Sequence, residues 1–343
     1  MGSCDPEPQR LFIETPCIPS RTLSRIAGCN IFLKLENHQP SGSFKSRAVG
    51  NMMYQAMLAQ PGRDVHFYCS SGGNAGLACA TAAATLKQPC TIVVPTLTTP
   101  FMIEKIKLLG AKVHQVGTNW ALADEHLRTV LLANDPSGIY VPPFDHPDIW
   151  AGNSTIVDEL VPQLKAHGVS QVDGIACNCG GGGLLNGIMA GVQKHYGGGK
   201  EKEPAVLAVE TVGADSLNQS VKAGELVTLP AITSIATSLG APRVSERTWR
   251  WTREAPHLKS VVVTDAEAVM GSVRFADDAL ILVEVACGAT ISTLYNGDLR
   301  KYVGGEGISD EEWSRKNVVV IVCGGVNVSL EILKTYKEKY GVR

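Results

Sequence analysis

The sequence predicts an α/β fold with two open, twisted, mostly parallel sheets and helices on both faces of each. Short apolar runs rich in β-branched residues alternate with helical segments along the chain. Several of these runs are continuously apolar, which is typical of parallel strands covered on both faces. With 343 residues, 44% of them hydrophobic, and 35 glycines, the chain is long enough for two well-packed domains with glycine-rich turns.

Eight segments are predicted as strands because they combine apolar and β-branched residues between turn-forming segments. In chain order they are Ile31–Leu35, Val65–Ser70, Cys90–Pro95, Lys112–Val116, Gly138–Val141, Gly174–Cys179, Ala205–Glu210 and Val318–Cys323. Between them, residues 74–86 are nearly all Ala, Leu and Thr, which predicts a helix buried all round. Thr264 and Glu267 have the spacing of a capping box and predict a helix that continues to about Phe275.

A turn-rich segment near 134–148 predicts a crossing between two domains. We therefore expect a large domain formed by residues 1–41 and 146–343, with a smaller domain of residues 42–145 inserted in it. The sequence contains no internal repeat and no low-complexity tract.

Composition excludes several classes of function. The net charge is −2 and no basic or acidic block occurs, which argues against nucleic acid and anionic membranes as partners. We expect no signal peptide and no membrane span. The ten cysteines include no C-x-x-C pair and lie mostly in apolar runs, so we expect buried thiols, no zinc site and a reducing, cytoplasmic location.

The segment Ser41–Arg47 (SGSFKSR) follows a predicted strand and precedes residues with helical spacing, which places Lys45 at a loop-to-helix junction. Positive partial charge at a helix start favours the neutral amine, the form that reacts with an aldehyde to give a Schiff base. A solvated lysine at a helix start is the simpler alternative.

Three further segments follow predicted strands. Ser70–Gly76 (SSGGNAG) suits either a carboxylate- or phosphate-binding turn or a tight turn capped by Asn74. Gly180–Gly183 is neither a Walker loop nor a dinucleotide fingerprint, and it predicts binding of a phosphate that is not part of a nucleotide. Cys323 ends the last predicted strand, where a thiol could contact a ring nitrogen without carrying charge or could simply be buried.

A lysine, a carboxylate-binding turn, a phosphate loop and a neutral contact are together what pyridoxal phosphate requires. On these segments the sequence resembles the fold-type II (tryptophan-synthase-β-like) pyridoxal-phosphate enzymes, specifically the fungal and animal L-serine/L-threonine dehydratases (deaminases). The matching segments are 40–45, 70–76, 142–145 (PPFD), 180–184, 232–240 (ITSIATSLG) and 323–325. They run over nearly the whole chain in the family's order.

The resemblance implies β-elimination of water from L-serine or L-threonine, giving pyruvate or 2-oxobutanoate and ammonia. It implies that Lys45 forms the Schiff base and takes the substrate Cα proton, and that the large domain binds the cofactor. The cofactor-binding residues would be Phe44, Lys45, Asn74, Gly180, Gly181, Gly182, Gly183, Leu184, Ser238 and Cys323. The substrate-binding residues would be Ser71, Gly72, Gly73, Asn74, Phe144 and Asn153.

The same resemblance implies a homodimer and a monovalent cation, for which potassium suits a shell made only of oxygen ligands. The matching positions are Gly180, Glu210, Ala214, Ser216, Leu239 and Ala241. An ordinary carboxylate at a strand end is the alternative for Glu210.

Two departures from the family pattern leave alternatives open. Ala151 and Asn153 stand where the dehydratases usually have an acid and an imidazole, and Val285 stands where they usually have proline. A pyridoxal-phosphate enzyme that catalyses β- or γ-elimination or replacement on a modified amino acid is therefore the second hypothesis. A non-enzymic binding protein on the same fold is the third, and the presence of Lys45 argues against it.

Overall fold

The computed structural model describes residues 10–199 and 202–342. Contacts between residues group them into two compact units. One comprises the described part of Met1–Glu14 with Gln39–Ser41 and Lys45–Gly152, and the other Thr15–His38, Gly42–Phe44 and the described part of Asn153–Arg343. We call them the four-strand unit and the six-strand unit after their sheets. The predicted domain boundaries at 41/42 and 145/146 stay a prediction.

The elements alternate between strand and helix along most of the described chain. The strands are β1 (Cys17–Pro19), β2 (Asn30–Lys34), β3 (His66–Cys69), β4 (Cys90–Val94), β5 (Lys112–Gln115), β6 (Gly138–Tyr140), β7 (Gly174–Asn178), β8 (Ala205–Thr211), β9 (Leu258–Val263) and β10 (Asn317–Ile321). The helices are α1 (Arg21–Ala27), α2 (Lys45–Leu58), α3 (Asn74–Leu86), α4 (Pro100–Leu108), α5 (Trp120–His126), α6 (Pro147–Ala166), α7 (Gly183–Tyr196), α8 (Ser216–Ala223), α9 (Glu246–Glu254), α10 (Asp265–Ala279), α11 (Val285–Ser292), α12 (Asp310–Ser314) and α13 (Leu330–Tyr340).

The two sheets are almost entirely parallel. The six-strand unit has the order β1-β2-β10-β7-β8-β9, in which only the pairing of β1 with β2 is antiparallel. The four-strand unit has the order β5-β4-β3-β6 and is parallel throughout. Every residue of β4 and of β7 is buried, as the continuous apolar runs predict for strands covered on both faces.

All eight predicted strands are present, and the predicted fold class is confirmed. The strands β1 and β9 were not predicted. The predicted helix over residues 74–86 is confirmed as α3, but its predicted burial all round is wrong in the last turn, where Ala84 and Thr85 are exposed. The Thr264–Glu267 capping box is confirmed, and α10 continues beyond Phe275 to Ala279.

Two findings concern the composition-based expectations. Within residues 10–199 and 202–342, no helix combines the length and the apolar character that a membrane crossing requires. The nine cysteines of the described chain are all buried free thiols.

Candidate active site

Lys45 is the first residue of α2, which confirms the predicted loop-to-helix junction. Its Nζ donates a hydrogen bond of 2.6 Å to the carbonyl oxygen of Pro143, in the loop that follows β6. The neighbouring Phe144 carbonyl accepts a hydrogen bond of 3.0 Å from Trp150 Nε1, and the Phe144 side chain is half-buried. The amine is thus held beside a loop whose own shape is fixed from α6.

The predicted carboxylate-binding loop follows β3 in the same unit. Gly73 N–H donates to Ser71 Oγ at 3.3 Å, and Gly73 precedes α3 without a side-chain cap, so Asn74 is not the cap but the first helical residue. A Cβ at Gly72 would lie 2.7 Å from Thr98 Cγ2, so the loop packs too closely against its neighbour for a side chain there. Free N–H groups at the start of a helix favour an anion.

Lys45 and the predicted carboxylate-binding loop lie at the carboxyl-terminal ends of the strands of the four-strand sheet. Strands β3 and β6 are parallel neighbours, with Tyr68 opposite Tyr140. The loops after them, which contain Ser71–Asn74 and Pro143, therefore leave the sheet at the same end. This is the end where open α/β sheets bind ligands.

A carboxylate joins these two strand ends. Asp124 Oδ1 accepts hydrogen bonds from Ser70 Oγ at 2.5 Å and from Tyr140 OH at 2.7 Å. Arg128 Nε donates to the other oxygen at 2.8 Å. Burial, together with the Asp124 carboxylate, raises the pKa of Tyr140, which keeps its hydroxyl a donor. Asp124 therefore fixes both loops relative to each other.

In the six-strand unit, Gly180–Gly183 leads from β7 into α7. Gly182 has a φ of +96° and precedes the helix without a side-chain cap. A Cβ at Gly182 would overlap the side chain of Thr248, and a Cβ at Gly180 would lie 3.2 Å from Leu239 Cα. Glycine is thus required at Gly182 by both conformation and space, and the helix start is left open to an anion.

Cys323 is buried just beyond the end of β10. Asn178 Nδ2 donates to its Sγ at 3.1 Å and also to the Ala286 carbonyl at 3.2 Å. A hydrogen bond with Cys287 and burial raise the pKa of the Cys323 thiol well above its ordinary value. The thiol therefore stays neutral, as a contact to an unprotonated ring nitrogen requires.

Backbone pairing brings Phe44 to Cys323. Phe44 N–H donates to the Cys323 carbonyl at 3.1 Å, and Gly325 N–H donates to the Gly42 carbonyl at 2.9 Å. On the other side, Asn327 Nδ2 donates to Ser238 Oγ at 3.3 Å. Within this unit the structure thus brings Phe44 to Cys323, and it places Ser238 beside Asn327, four residues after Cys323.

The predicted cation ligands fall in two places of the six-strand unit. Glu210 is buried at the end of β8, and its two carboxylate oxygens accept the N–H groups of Leu217 and Asn218, each at 2.8 Å. Burial raises the pKa of Glu210 to about 8. Ala214 lies in the turn after β8, and Ser216 is the first residue of α8. Leu239 lies against Gly180, and Ala241 follows it two residues later. Among the described residues, no cluster of three or more His, Cys, Asp or Glu side chains could hold a metal ion.

Asn153, predicted as a substrate contact, is fully buried on α6. Its Nδ2 donates to the Gly183 carbonyl at 2.9 Å, and within the described chain its Oδ1 accepts no hydrogen bond. The Asn153 side chain thus contacts the start of α7. Ala151, which belongs to the four-strand unit, is exposed.

Sequence reasoning missed residues that contact the candidate site segments, namely Asp124, Asn178 and Thr248. Each acts through hydrogen bonds between residues far apart in sequence, such as the 54 positions between Ser70 and Asp124. No local pattern of composition or spacing carries that information.

This fold, with an open glycine-rich helix start in one unit and a lysine at the strand ends in the other, is that of the fold-type II pyridoxal-phosphate enzymes. The chain matches the family model described as pyridoxal-phosphate dependent enzyme over residues 9–324. The chain therefore belongs to this family, and the predicted family is confirmed.

Particular relatives are similar over most of their length. The chain is 44% identical over 334 residues to an L-serine dehydratase/L-threonine deaminase of Bos taurus, covering 97% of each chain. It is 40% identical to an L-serine dehydratase of Saccharomyces cerevisiae, covering 88% of this chain and 90% of the relative. A fungal L-serine ammonia-lyase from Rhizomucor miehei superposes with a TM-score of 0.87 at 38% identity, covering 97% of this chain and 100% of that one.

The described residues fit pyridoxal phosphate. Gly182 leaves an uncapped helix start for a dianionic phosphate, and Cys323 offers a neutral group for a ring nitrogen. Lys45 offers an amine at the junction where the chain passes, after Phe44, from one unit to the other.

Proposed function

We propose that the protein is a pyridoxal-phosphate-dependent ammonia-lyase that removes water from L-serine and L-threonine. The products are the 2-oxo acids pyruvate and 2-oxobutanoate, with ammonia. The observation that carries the proposal is the placement of the Lys45 amine and the Ser71–Asn74 loop at the carboxyl-terminal ends of the strands of the four-strand sheet. The names of the relatives that match nearly full length support the choice of substrate.

The following residues of the chain would bind the cofactor. The backbone N–H groups of Gly180–Leu184 bind the cofactor phosphate, Cys323 contacts the ring nitrogen, and Asn74 donates to the ring oxygen. When bound, pyridoxal phosphate supplies an electron sink for negative charge at the substrate Cα. Phe44 and Ser238 contact the two faces of the ring. The hydrogen bond of Phe44 N–H to the Cys323 carbonyl and that of Asn327 to Ser238 Oγ support this assignment.

The reaction itself requires binding of the substrate carboxylate and one proton transfer. Ser71, Gly72, Gly73 and Asn74 bind the carboxylate, which fixes the Cα–H bond relative to Lys45. Lys45 Nζ removes the Cα proton, the Cα=Cβ bond forms as the Cβ–O bond breaks, and the hydroxyl takes up that proton and leaves as water. The enamine product then tautomerises and is hydrolysed, which consumes one water and releases ammonia, so the overall change is amino acid to 2-oxo acid plus ammonia.

A panel of amino acids tests this proposal. We expect 2-oxo acid from L-serine and L-threonine, followed through NADH oxidation by a coupled dehydrogenase, together with an equal amount of ammonia. We propose that Phe144 and Asn153 contact the substrate side chain. Phe144→Ala is therefore expected to change the ratio of kcat/KM for L-serine to kcat/KM for L-threonine. Absence of 2-oxo acid from every β-hydroxy amino acid would refute the proposed activity.

A replacement or modified-substrate reaction is the second candidate, and the departures at Ala151 and Asn153 favour it. It predicts that an added nucleophile such as sulfide is incorporated into the product from O-acetyl-L-serine. If only ammonia and 2-oxo acid appear in the presence of the nucleophile, this candidate fails.

We further propose that Glu210, with Gly180, Ala214, Ser216, Leu239 and Ala241, binds potassium. Burial of the Glu210 carboxyl near the end of β8, just before the turn that contains Ala214, supports this assignment. At equal ionic strength, KCl is expected to raise the melting temperature above its value in tetramethylammonium chloride by about 3 °C or more. Glu210→Gln should abolish that difference while the exposed Glu225→Gln retains it, and a difference that persists in Glu210→Gln would exclude this ligand set.

The family resemblance supports a homodimer, which size-exclusion chromatography with light scattering would test. The free, buried cysteines of the described chain support a reducing, cytoplasmic compartment.

A further inference from the structure

Three buried polar side chains form a closed hydrogen-bonded triangle behind the tetraglycine segment. Asn186 lies on α7, Ser245 caps α9 and Thr248 lies in its first turn. Asn186 Nδ2 donates to Ser245 Oγ at 3.0 Å, Thr248 Oγ1 donates to Asn186 Oδ1 at 3.0 Å, and the two hydroxyls lie 2.9 Å apart. Their exposed fractions are 1%, 4% and 0%, so these polar groups form hydrogen bonds with one another rather than with bulk water.

The residues of this triangle contact the glycine segment at two consecutive positions. Ser245 N–H donates to the Gly181 carbonyl at 3.0 Å, and Asn186 N–H donates to the Gly182 carbonyl at 2.8 Å. The side chain of Thr248 fills the space that a Cβ on Gly182 would need. The Gly181 carbonyl is therefore held from α9, and the Gly182 carbonyl is held by the first backbone hydrogen bond of α7, with the Thr248 side chain packed against Gly182.

The direction of the carbonyls fixes the direction of the N–H groups. In a trans peptide unit the C=O and N–H bonds point in opposite directions. The Gly181 carbonyl shares its unit with the N–H of Gly182, and the Gly182 carbonyl shares its unit with the N–H of Gly183. Fixing the two carbonyls thus also fixes the N–H groups of Gly182 and Gly183 in the opposite direction, at the start of α7, where they can bind an anion.

We infer that Asn186, Ser245 and Thr248 are positioning residues that set the affinity for the cofactor phosphate. This inference rests on the proposed function, because it takes pyridoxal phosphate as the ligand. Glycine segments are flexible when unsupported, and ordering the segment before binding removes an entropic cost that binding would otherwise bear. The effect should be specific to the phosphate, since the contacts of Ser245 with the Gly181 carbonyl and of Thr248 with Gly182 lie in the segment proposed to bind it.

Thr248→Val tests the inference, because valine keeps the shape of threonine and removes the hydroxyl. The apoprotein is titrated with pyridoxal phosphate and, separately, with pyridoxal, which lacks the phosphate, and binding is measured by equilibrium dialysis. We expect the Kd for pyridoxal phosphate to rise about 10-fold or more, the effect of losing one or two buried hydrogen bonds, and the Kd for pyridoxal to change less than about twofold. Thr252→Val is the matched control, since Thr252 lies one turn later on α9 and its hydroxyl donates only to the Trp249 carbonyl.

Thr248→Ser restores the hydroxyl and is expected to bind pyridoxal phosphate as the wild type does. If Thr248→Val weakens both ligands equally, or neither, the inference is overturned. If Thr248→Val does not fold, Thr248→Ser decides: a folded serine variant with lost phosphate selectivity overturns the inference, and retained selectivity supports it. A wild-type protein that binds no pyridoxal phosphate overturns the proposed function, whereas a wild type that binds it without preference over pyridoxal overturns only the inference.

Discussion

Replacement of Lys45 by alanine is expected to lower the rate of ammonia release from L-serine by about 10⁴-fold, the upper range for loss of a positioned general base. The Lys45 amine is the group held by the Pro143 carbonyl at the carboxyl-terminal ends of the strands of the four-strand sheet. Nothing else in the proposed assignment can remove the Cα proton. The variant should still bind pyridoxal phosphate, because the glycine segment in the six-strand unit is unchanged.

The measurement combines kinetics with a covalent readout. Borohydride reduction of the wild type is expected to fix the cofactor on the peptide that contains Lys45, as detected by mass spectrometry. Lys45→Arg keeps the positive charge but cannot form a Schiff base, so it should be as inactive as Lys45→Ala. Lys105→Ala, on α4 in the same unit, should keep both activity and labelling at Lys45. Activity of Lys45→Ala within tenfold of the wild type would remove Lys45 from its assigned role.

Strands were predictable where a local pattern exists, and the two missed strands show where it does not. Strand β1 is three residues long, contains Pro19 and pairs with β2 alone, so neither length nor composition marks it. Strand β9 lies at the opposite edge and starts with Leu258, Lys259 and Ser260, which are half-buried. Edge strands need less apolar surface than central ones, and sequence patterns detect them poorly for that reason.

The candidate site likewise contains segments that local sequence predicts and side chains that it does not. Lys45 could be placed at a loop-to-helix junction from local sequence, and the Ser70–Gly76 segment, the tetraglycine segment and Cys323 could be placed at the ends of predicted strands. The groups that support them could not be, because Asp124 and Thr248 are polar residues on helices with no distinctive neighbours. Their partners become adjacent only when the sheets form.

Gly76→Ala is expected to lower kcat/KM for L-serine by about 100-fold, the effect of a displacement of about 1 Å in a substrate-binding group. Gly76 lies inside α3, where alanine is favoured over glycine by about 1 kcal/mol. A Cβ at Gly76 would nevertheless overlap the backbone carbonyl oxygen of Ser71, in the predicted carboxylate-binding loop. A backbone atom cannot change rotamer to make room, so the loop itself has to move.

The loss from Gly76→Ala should appear mainly in KM and little in stability. The helix propensity gained offsets part of the overpacking cost, which is about 1–3 kcal/mol, so the protein should still fold and bind pyridoxal phosphate, whose proposed phosphate contacts lie in the other unit. Gly198→Ala is the control, since a Cβ at Gly198 has no atom within 4 Å and should leave KM unchanged. If Gly76→Ala raises the KM for L-serine much more than the Kd for pyridoxal phosphate, the substrate carboxylate is the main ligand of the Ser71–Asn74 loop. An unchanged KM would mean that the carboxylate is bound elsewhere, because the carbonyl of Ser71 cannot keep its position beside an alanine at 76.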